Sequence, residues 1–345
     1  MLHHLKKGDT VIGLDNYSSS ERNSGHIEKI QKFKNQELVE CDISRVGQAQ
    51  MFGENSLWNV DGIPHKKFDI IYNFACPASP PKYQAIPIET MLTCVAGTYK
   101  VLEIARQHKA IFIQASTSEV YGDPQFTPQH ESYRGMVNPY GPRACYDEGK
   151  RAAEALCYDY LNTKKVDARL VRIFNTYGPH MLPDDGRVVS NFICQALRGE
   201  PLTIYGDGEQ TRSFCYVDDL IRGIVALGEL ERNPKSPINI GNPNEFSVGS
   251  LADKISKRLG ARIVKQPLPV DDPTQRCPDI SRARQLLRWE PTVSLDEGLS
   301  YTIDHFKATL LAMGETPVSM RLGSTKEWLK IVGRGNIALL PFVFL

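Results

Sequence analysis

Over the first 120 residues, short apolar runs that end on polar residues alternate with amphipathic stretches, and this alternation limits the fold more than any other feature of the chain. Residues 10–14 read as a buried strand ending at Asp15, residues 37–41 as a second ending at Asp42, residues 68–74 as a third and residues 110–115 as a fourth. Between the last two, residues 89–107 place Met91, Val95, Tyr99, Leu102 and Ile104 broadly on one side at helical spacing. Strands that alternate with helices imply parallel βαβ units, so an α/β doubly wound, Rossmann-type parallel sheet is expected. Such sheets bind ligands at the carboxyl ends of their strands, where Asp15, Asp42, Ala75 and residues 116–118 fall.

A further helix over 146–163 precedes a strand over 168–174. Beyond about residue 178 the chain is rich in Pro and Gly, with helices expected over 188–197 and 247–259. This predicts a dinucleotide-binding domain over 1–178, a smaller mixed α/β substrate portion over 179–310 with some segments returning to the first domain, and an unassigned tail over 311–345. A dinucleotide-binding sheet usually opens with a strand, a Gly-rich turn and a helix whose N-terminus holds the pyrophosphate. Residues 1–8 read as the last turns of that helix, and no G-x-G-x-x-G occurs in the sequence. The sheet is therefore expected without its first strand and glycine turn.

Charge and composition narrow the partners. The 41 Lys+Arg and 40 Asp+Glu nearly cancel, which argues against a general nucleic-acid or acidic-membrane binder. No apolar run approaches the roughly 18 residues of a membrane span, and residues 1–9 lack the apolar stretch of a secretion signal. The eight cysteines include no C-x-x-C, and the eight histidines include no H-E-x-x-H. Reduced thiols in the cytoplasm, no membrane span and no metal are expected.

Three stretches could carry chemistry. Tyr146 and Lys150, at i and i+4, share a helix face, and a cation beside a phenol favours phenolate, a usable base near neutral pH; a solvated helix face is the alternative. Residues 116–122 put two hydroxyls and a carboxylate, those of Thr117, Ser118 and Glu119 among them, at a strand end; a capped turn is the alternative. Residues 172–179 occupy another strand end, or a plain loop.

Taken together, in this order and spacing, the three stretches resemble the extended short-chain dehydrogenase/reductase family, the nucleotide-sugar epimerases, dehydratases and decarboxylases. Residues 75–81 (ACPASPP), 116–124 (STSEVYGDP), 141–151 (GPRACYDEGKR), 185–192 (DGRVVSNF) and 210–214 (QTRSF) are most similar to its UDP-glucuronate decarboxylases. So are Asp271-Asp272-Pro273, Arg276 and residues 278–280. The resemblance covers roughly residues 2–307 and implies NAD as cofactor, UDP-glucuronate as substrate, UDP-xylose as product and a homodimer built on two helices per subunit.

The resemblance also implies roles. Tyr146 would take the C4 hydroxyl proton, Lys150 would lower its pKa and hold the nicotinamide ribose, and Thr117 would bond the C4 oxygen. The resulting 4-keto acid would lose CO2. The dehydratases of the family carry Asp before Glu at this strand end; here Ser118 stands there, and a carboxylate would repel the substrate's own. Glu119 and Arg212 are candidates for handling the C5 proton, with Arg212 alternatively a diphosphate contact. Asp15 and Asn16 would face the adenosine ribose, an acid there favouring NAD over NADP. Asp42 and Ile43 would lie at the adenine, and Ala75, Thr176 and Arg187 elsewhere along the cofactor. Asn175, Asn191, Tyr205, Arg212 and Arg276 would bind the uridine diphosphate, with Tyr205 alternatively a core aromatic. The chain departs from the family at residues 92–94, Leu-Thr-Cys, where a Lys and an Asn are usual. Two other outcomes stay open: a related 4,6-dehydratase or 4-epimerase, and a non-catalytic sugar-nucleotide-binding paralogue.

Overall fold

The computed structural model of the chain describes residues 1–18, 25–44, 67–268 and 273–318. In chain order the first half runs α1 (Leu2–Lys7), β1 (Val11–Asp15), α2 (Gly25–Gln31), β2 (Gln36–Glu40), β3 (Ile70–Asn73), α3 (Pro80–Ala85), α4 (Pro87–Leu92), α5 (Thr98–His108), β4 (Ile111–Thr117), α6 (Ala144–Asp159) and β5 (Ala168–Ile173). The second half continues β6 (Thr176–Tyr177), α7 (Val188–Arg198), β7 (Leu202–Tyr205), β8 (Thr211–Ser213), β9 (Cys215–Tyr216), α8 (Val217–Glu229), β10 (Ile238–Ile240), β11 (Glu245–Ser247), α9 (Val248–Leu259), β12 (Ile263–Gln266), α10 (Ser281–Leu287) and α11 (Leu295–Ala312).

The sheet order is β10-β5-β4-β3, all parallel, so β10 from the second half returns to the strands of the first. β1 and β2 pair in parallel as a separate two-stranded sheet. Side chains link this pair to the rest: His4 Nε2 bonds the Tyr72 hydroxyl at 3.1 Å, and Lys7 pairs with Glu229.

Strand alternation explains why helices cover both faces. Successive residues of a strand point to opposite sides. Phe112 and Leu170 pack with Val101, Leu102 and Ala105 of α5 and with Cys157 of α6. Their neighbours Ile113 and Val171 pack with Leu220, Ile224 and Leu227 of α8 and with Trp289. A third core joins Phe192 and Ile193 of α7, Leu251 and Ile255 of α9, and Leu299, Ile303 and Phe306 of α11. The expected doubly wound α/β architecture is thus observed. Local signals set the helix ends: Ser294 caps α11 by accepting from Glu297 N, Ser247 caps α9 by accepting from Ser250 N, and Gly260 closes α9 at φ 72°.

The helix expected over 89–107 forms, but a π-helical turn over Thr93–Gly97 divides it into α4 and α5. α6 likewise ends in a π turn, Tyr160–Lys164. Of the tail expected over 311–345, the described part runs to residue 318 and includes Glu315, which pairs with Arg198 at 2.7 Å. The rest of the tail, 319–345, and Asp271-Asp272 lie outside the described residues.

Arg172 has a structural task. Its guanidinium grips Glu154 of α6 with two bonds of 2.9 and 2.7 Å and also reaches the Tyr121 hydroxyl, while Ser116 donates to Glu154 at 2.6 Å. This nearly buried pair fixes α6 to β4 and β5. Removing one partner would strand the other charge. Glu154→Ala is therefore expected to lose about 3–5 kcal/mol of stability in denaturant unfolding; an unchanged midpoint would contradict that assignment.

Candidate active site

Tyr146, Gly149, Lys150, Ala153 and Cys157 form the buried face of α6. This face turns toward the carboxyl end of β4 rather than to solvent: Tyr146 is 6% and Lys150 4% exposed. Gly149 is what lets the helix approach, since a Cβ there would stand 2.9 Å from the Cys94 Cβ. The Lys150 ammonium donates to Ala115 O at 2.9 Å and lies 5.7 Å from the Tyr146 ring centre. The Thr117 hydroxyl, at the last residue of β4, accepts from Glu119 N at 3.2 Å and lies close enough to the Tyr146 phenol to favour its ionised form. Tyr83 stacks flat on Tyr146, with ring centres 4.8 Å apart and planes at 4°.

The sequence predicts a phenol made more acidic by Lys150, but the ligand-free site has the opposite balance. Burial pushes the Tyr146 pKa well above its ordinary value, the Cys76 sulfur adds to the rise, and the Thr117 hydroxyl only partly offsets it. Desolvation outweighs the nearby ammonium because phenolate must form away from water.

Glu119 lies inside a cluster of arginines. It accepts from Arg143 at 2.5 Å and from Arg276 at 3.3 and 3.2 Å. Burial opposes its ionisation, but the Arg276 and Arg143 guanidiniums outweigh that and hold its carboxyl well below the usual range. Asp147, next to Tyr146, moves the other way. Burial and the Glu119 charge push its carboxyl up, and its Oδ1 is buried with no hydrogen-bond partner. Arg143 and Asp147 stand in the 141–151 motif, but their joining Glu119 in one charge network depends on how the β4 end packs against α6, which residue spacing does not encode.

A cavity of about 1590 Å³ opens over this machinery. A typical ligand pocket is roughly 300–1,000 Å³, so this one has room for more than a single small ligand. Thr117, Ser118, Glu119, Tyr146 and Lys150 line it. So do Asn175, Thr176, Arg187, Asn191, Tyr205 and Arg212. Arg187 is gripped by Asp185 at 2.5 and 2.9 Å, and Asn191 donates to Gly186 O at 3.0 Å. Arg212 is nearly buried and donates to Thr211 O at 2.8 Å. Tyr205 is 45% exposed, which removes the core-aromatic alternative.

Arg276 stands behind the lining, 1% exposed and tied to Glu119. Asp15, Asn16, Asp42, Ile43 and Ala75 do not line the cavity. Asp15 lies at the carboxyl end of β1 and accepts from Tyr17 N at 2.8 Å, Asn16 accepts from Ser18 N, and Asp42 caps a turn through Ser44. Ile43 packs against Gly97, where an added Cβ would meet its side chain at 2.8 Å. The Ala75 amide donates to Asn73 Oδ1.

Asp147 supplies a pH test. Its folded-state pKa lies above the unfolded value, so its ionisation is harder in the folded protein and penalises stability as pH rises from the unfolded pKa through the folded one. Asp147→Asn removes that penalty. The Tm of the variant minus that of the wild type is expected to grow between pH 4 and pH 8, and a flat or falling difference would contradict the buried, destabilised carboxyl.

Comparison with known proteins agrees with this geometry. A family model described as GDP-mannose 4,6 dehydratase matches residues 1–302. UDP-glucuronic acid decarboxylase 1 of Xenopus tropicalis is 53% identical over 244 residues, 70% of this chain and 58% of that protein. The Arabidopsis thaliana protein of the same name is 46% identical over 310 residues, 89% of this chain and 66% of that one. The chain thus spans about three fifths of the Xenopus protein's length. Among solved structures, the UDP-glucuronic acid 4-epimerase of Bacillus cereus, in complex with UDP-glucuronic acid and NAD, superposes with a TM-score of 0.74 at 29% identity, covering 89% of this chain and 94% of that one. An epimerase of Methanothermobacter thermautotrophicus gives 0.76 at 28% identity, covering 90% and 89%. Among the described residues no helix is long and apolar enough to cross a membrane. The fold, the Thr117–Tyr146–Lys150 arrangement and these matches together establish that the chain belongs to the GDP-mannose 4,6 dehydratase family, a branch of the extended short-chain dehydrogenase/reductases.

Proposed function

We propose that this protein decarboxylates UDP-glucuronate to UDP-xylose with NAD as a recycled cofactor. The observation that carries the reading is the buried Thr117–Tyr146–Lys150 set facing a cavity large enough for two ligands, in a chain similar to proteins named UDP-glucuronic acid decarboxylases. Ser118 supports decarboxylation over dehydration, because a hydroxyl there does not repel a substrate carboxylate.

The residues present fit a nicotinamide dinucleotide at its reactive end. Lys150 carries a buried ammonium at the cavity wall whose one bond to Ala115 O leaves donor capacity for a ribose. Thr176 and Arg187 share that cavity; Ala75, Asp15, Asn16, Asp42 and Ile43 would hold the rest of the cofactor toward its adenosine end. Held there, NAD would supply reversible hydride transfer at C4.

The chain's own groups supply proton handling and charge. Tyr146 takes the C4 hydroxyl proton, with Thr117 sharing the C4 oxygen. Lys150 then stabilises the phenolate, against a burial cost that is large before ligands bind. The 4-keto group adjacent to C5 is the electron sink for CO2 loss. Glu119, held ionised by Arg143 and Arg276, orients those guanidiniums toward the sugar end and shapes the reprotonation at C5 together with Arg212. Asn175, Asn191, Tyr205 and Arg212 serve the uridine diphosphate, Arg212 by bonds to phosphate oxygens, while Arg276 acts from behind the lining through Glu119. In this reading residues 1–178 carry NAD and residues 179–310 most of the sugar-nucleotide contacts.

We also propose a homodimer through α5 and α6. Ile88, Leu92 and Tyr99 are 71%, 43% and 42% exposed along the α4–α5 run, and Tyr158 of α6 is 66% exposed. Eight free thiols support a reducing, cytoplasmic setting. A second reading, sugar-nucleotide binding without turnover, draws on the burial that holds the Tyr146 phenol in its neutral form.

Incubation with UDP-glucuronate and NAD is expected to release CO2 and UDP-xylose. A 4-keto, 6-deoxy or epimerised product would replace the proposal with a dehydratase or epimerase, and UDP-sugar binding with no product would favour the second reading. Tyr146→Phe is expected to lower turnover on the order of 10²–10⁴-fold while UDP affinity holds; retained turnover would remove Tyr146 as the base. Sedimentation is expected to give the mass of two chains, falling to one in Ile88→Asp; a wild-type monomer would refute the dimer.

A further inference from the structure

Cys76 and Cys94 come from different segments and meet at the cavity wall. Cys76 follows β3 at its carboxyl end and lines the cavity; Cys94 sits in the π turn between α4 and α5 and is 2% exposed. Their sulfurs are 3.3 Å apart and in hydrogen-bond contact. A disulfide bond measures about 2.05 Å, so the sulfurs need to close only about 1.3 Å. Cys76 lies in the loop between β3 and α3, outside regular secondary structure, so such a movement breaks no sheet ladder.

The surroundings favour thiolate chemistry at one of the two. The hydrogen bond between the two sulfurs lowers the Cys94 pKa, against burial, with the Lys150 charge acting in the same lowering direction. That hydrogen bond and burial raise Cys76, which keeps the shared proton. A thiolate with a second thiol in contact is the arrangement that oxidises to a disulfide rather than stopping at a sulfenic acid.

We propose that Cys76 and Cys94 are a redox dithiol that hydrogen peroxide converts to an intramolecular disulfide in the wall of the Tyr146 cavity. One thiolate attacks a peroxide oxygen, the O–O bond breaks, and a sulfenic acid and hydroxide form; the hydroxide takes up a proton as water. The second thiol attacks the sulfenic sulfur, the S–O bond breaks, and a second water leaves with the remaining proton. The two thiols lose two electrons and the peroxide gains them. This proposal is independent of the substrate assigned above.

The disulfide would act on Tyr146 in two ways. It removes the charge that the Cys94 thiolate places near the phenol, one of the influences that raise Tyr146, so Tyr146 ionises at lower pH than in the reduced protein. It also shifts Cys94, which abuts Gly149 on the helix that carries Tyr146 and Lys150.

The test uses the full chain treated with stoichiometric hydrogen peroxide, blocked with N-ethylmaleimide and analysed by intact mass and non-reducing peptide mapping. The expected result is a loss of two hydrogens, protection of two of the eight thiols, one cross-linked peptide joining residues 76 and 94, and full reversal by dithiothreitol. Cys76→Ser and Cys94→Ser should each abolish the cross-link, and Cys157→Ser, at a buried thiol elsewhere on α6, should keep it. Oxygen addition without a cross-link, a bridge to Cys145 instead, or no reaction would each overturn the proposal, and none of these outcomes depends on turnover.

Discussion

Helix α6 is held at two points, one against the π turn between α4 and α5 and one on the sheet, and the geometry of the site follows from them. At one point Gly149 lies against Cys94 with no side chain between. At the other, Glu154 is clamped by Arg172 of β5 and Ser116 of β4. Between these points the helix cannot rotate without breaking a buried ion pair or driving backbone into a neighbouring segment. Tyr146 and Lys150 project from that fixed face, so the positions of the phenol and the ammonium relative to Thr117 are set by packing.

Around this frame, charge is arranged to be costly in one place and cheap in another. Glu119 is ionised because Arg143 and Arg276 surround it, whereas Asp147, one turn of chain from Arg143 and close to the Glu119 charge, is pushed toward its neutral form. Tyr146 is likewise held neutral by burial. Burial thus holds the acid–base group protonated, with Lys150 the cation placed to oppose it. Two carboxyl groups with pKa values driven apart around one arginine is a pattern associated with functional sites.

Much of this was legible in the sequence, for reasons that differ by element. The strands over 10–14, 37–41, 68–74 and 110–115 were readable because buried parallel strands are short, apolar and end in polar residues; the structure shifts their bounds by one or two residues. The helix over 89–107 was readable by period, but its π turn was not, since one extra residue in a turn leaves little mark on apolar spacing. Helices α8 and α11 are less legible because they lie in the stretch beyond residue 178, where frequent Pro and Gly break the apolar periodicity into short segments. At the site, the sharing of a face by Tyr146 and Lys150 followed from helical geometry. The rise in the Tyr146 pKa did not, because desolvation depends on what covers the ring, and Tyr83 lies 63 positions away in sequence. The meeting of Cys76 with Cys94 was invisible for the same reason: it depends on how two loops pack, while the sequence offers only two thiols without C-x-x-C spacing.

Strand β4 carries both core and chemistry on one alternating register. Phe112 and Ile113 feed opposite hydrophobic layers, and a few positions on, the same alternation puts Ser116 on the Phe112 face, where its hydroxyl bonds Glu154 of the helix that carries Tyr146. Inserting or deleting one residue in this strand would swap its layers and turn the hydroxyl away together. The protein therefore cannot drift in length here while preserving either property: foldability and reactivity are inherited as one unit, and divergence among its relatives has to proceed by substitution in place at β4, with length changes confined to the connecting segments.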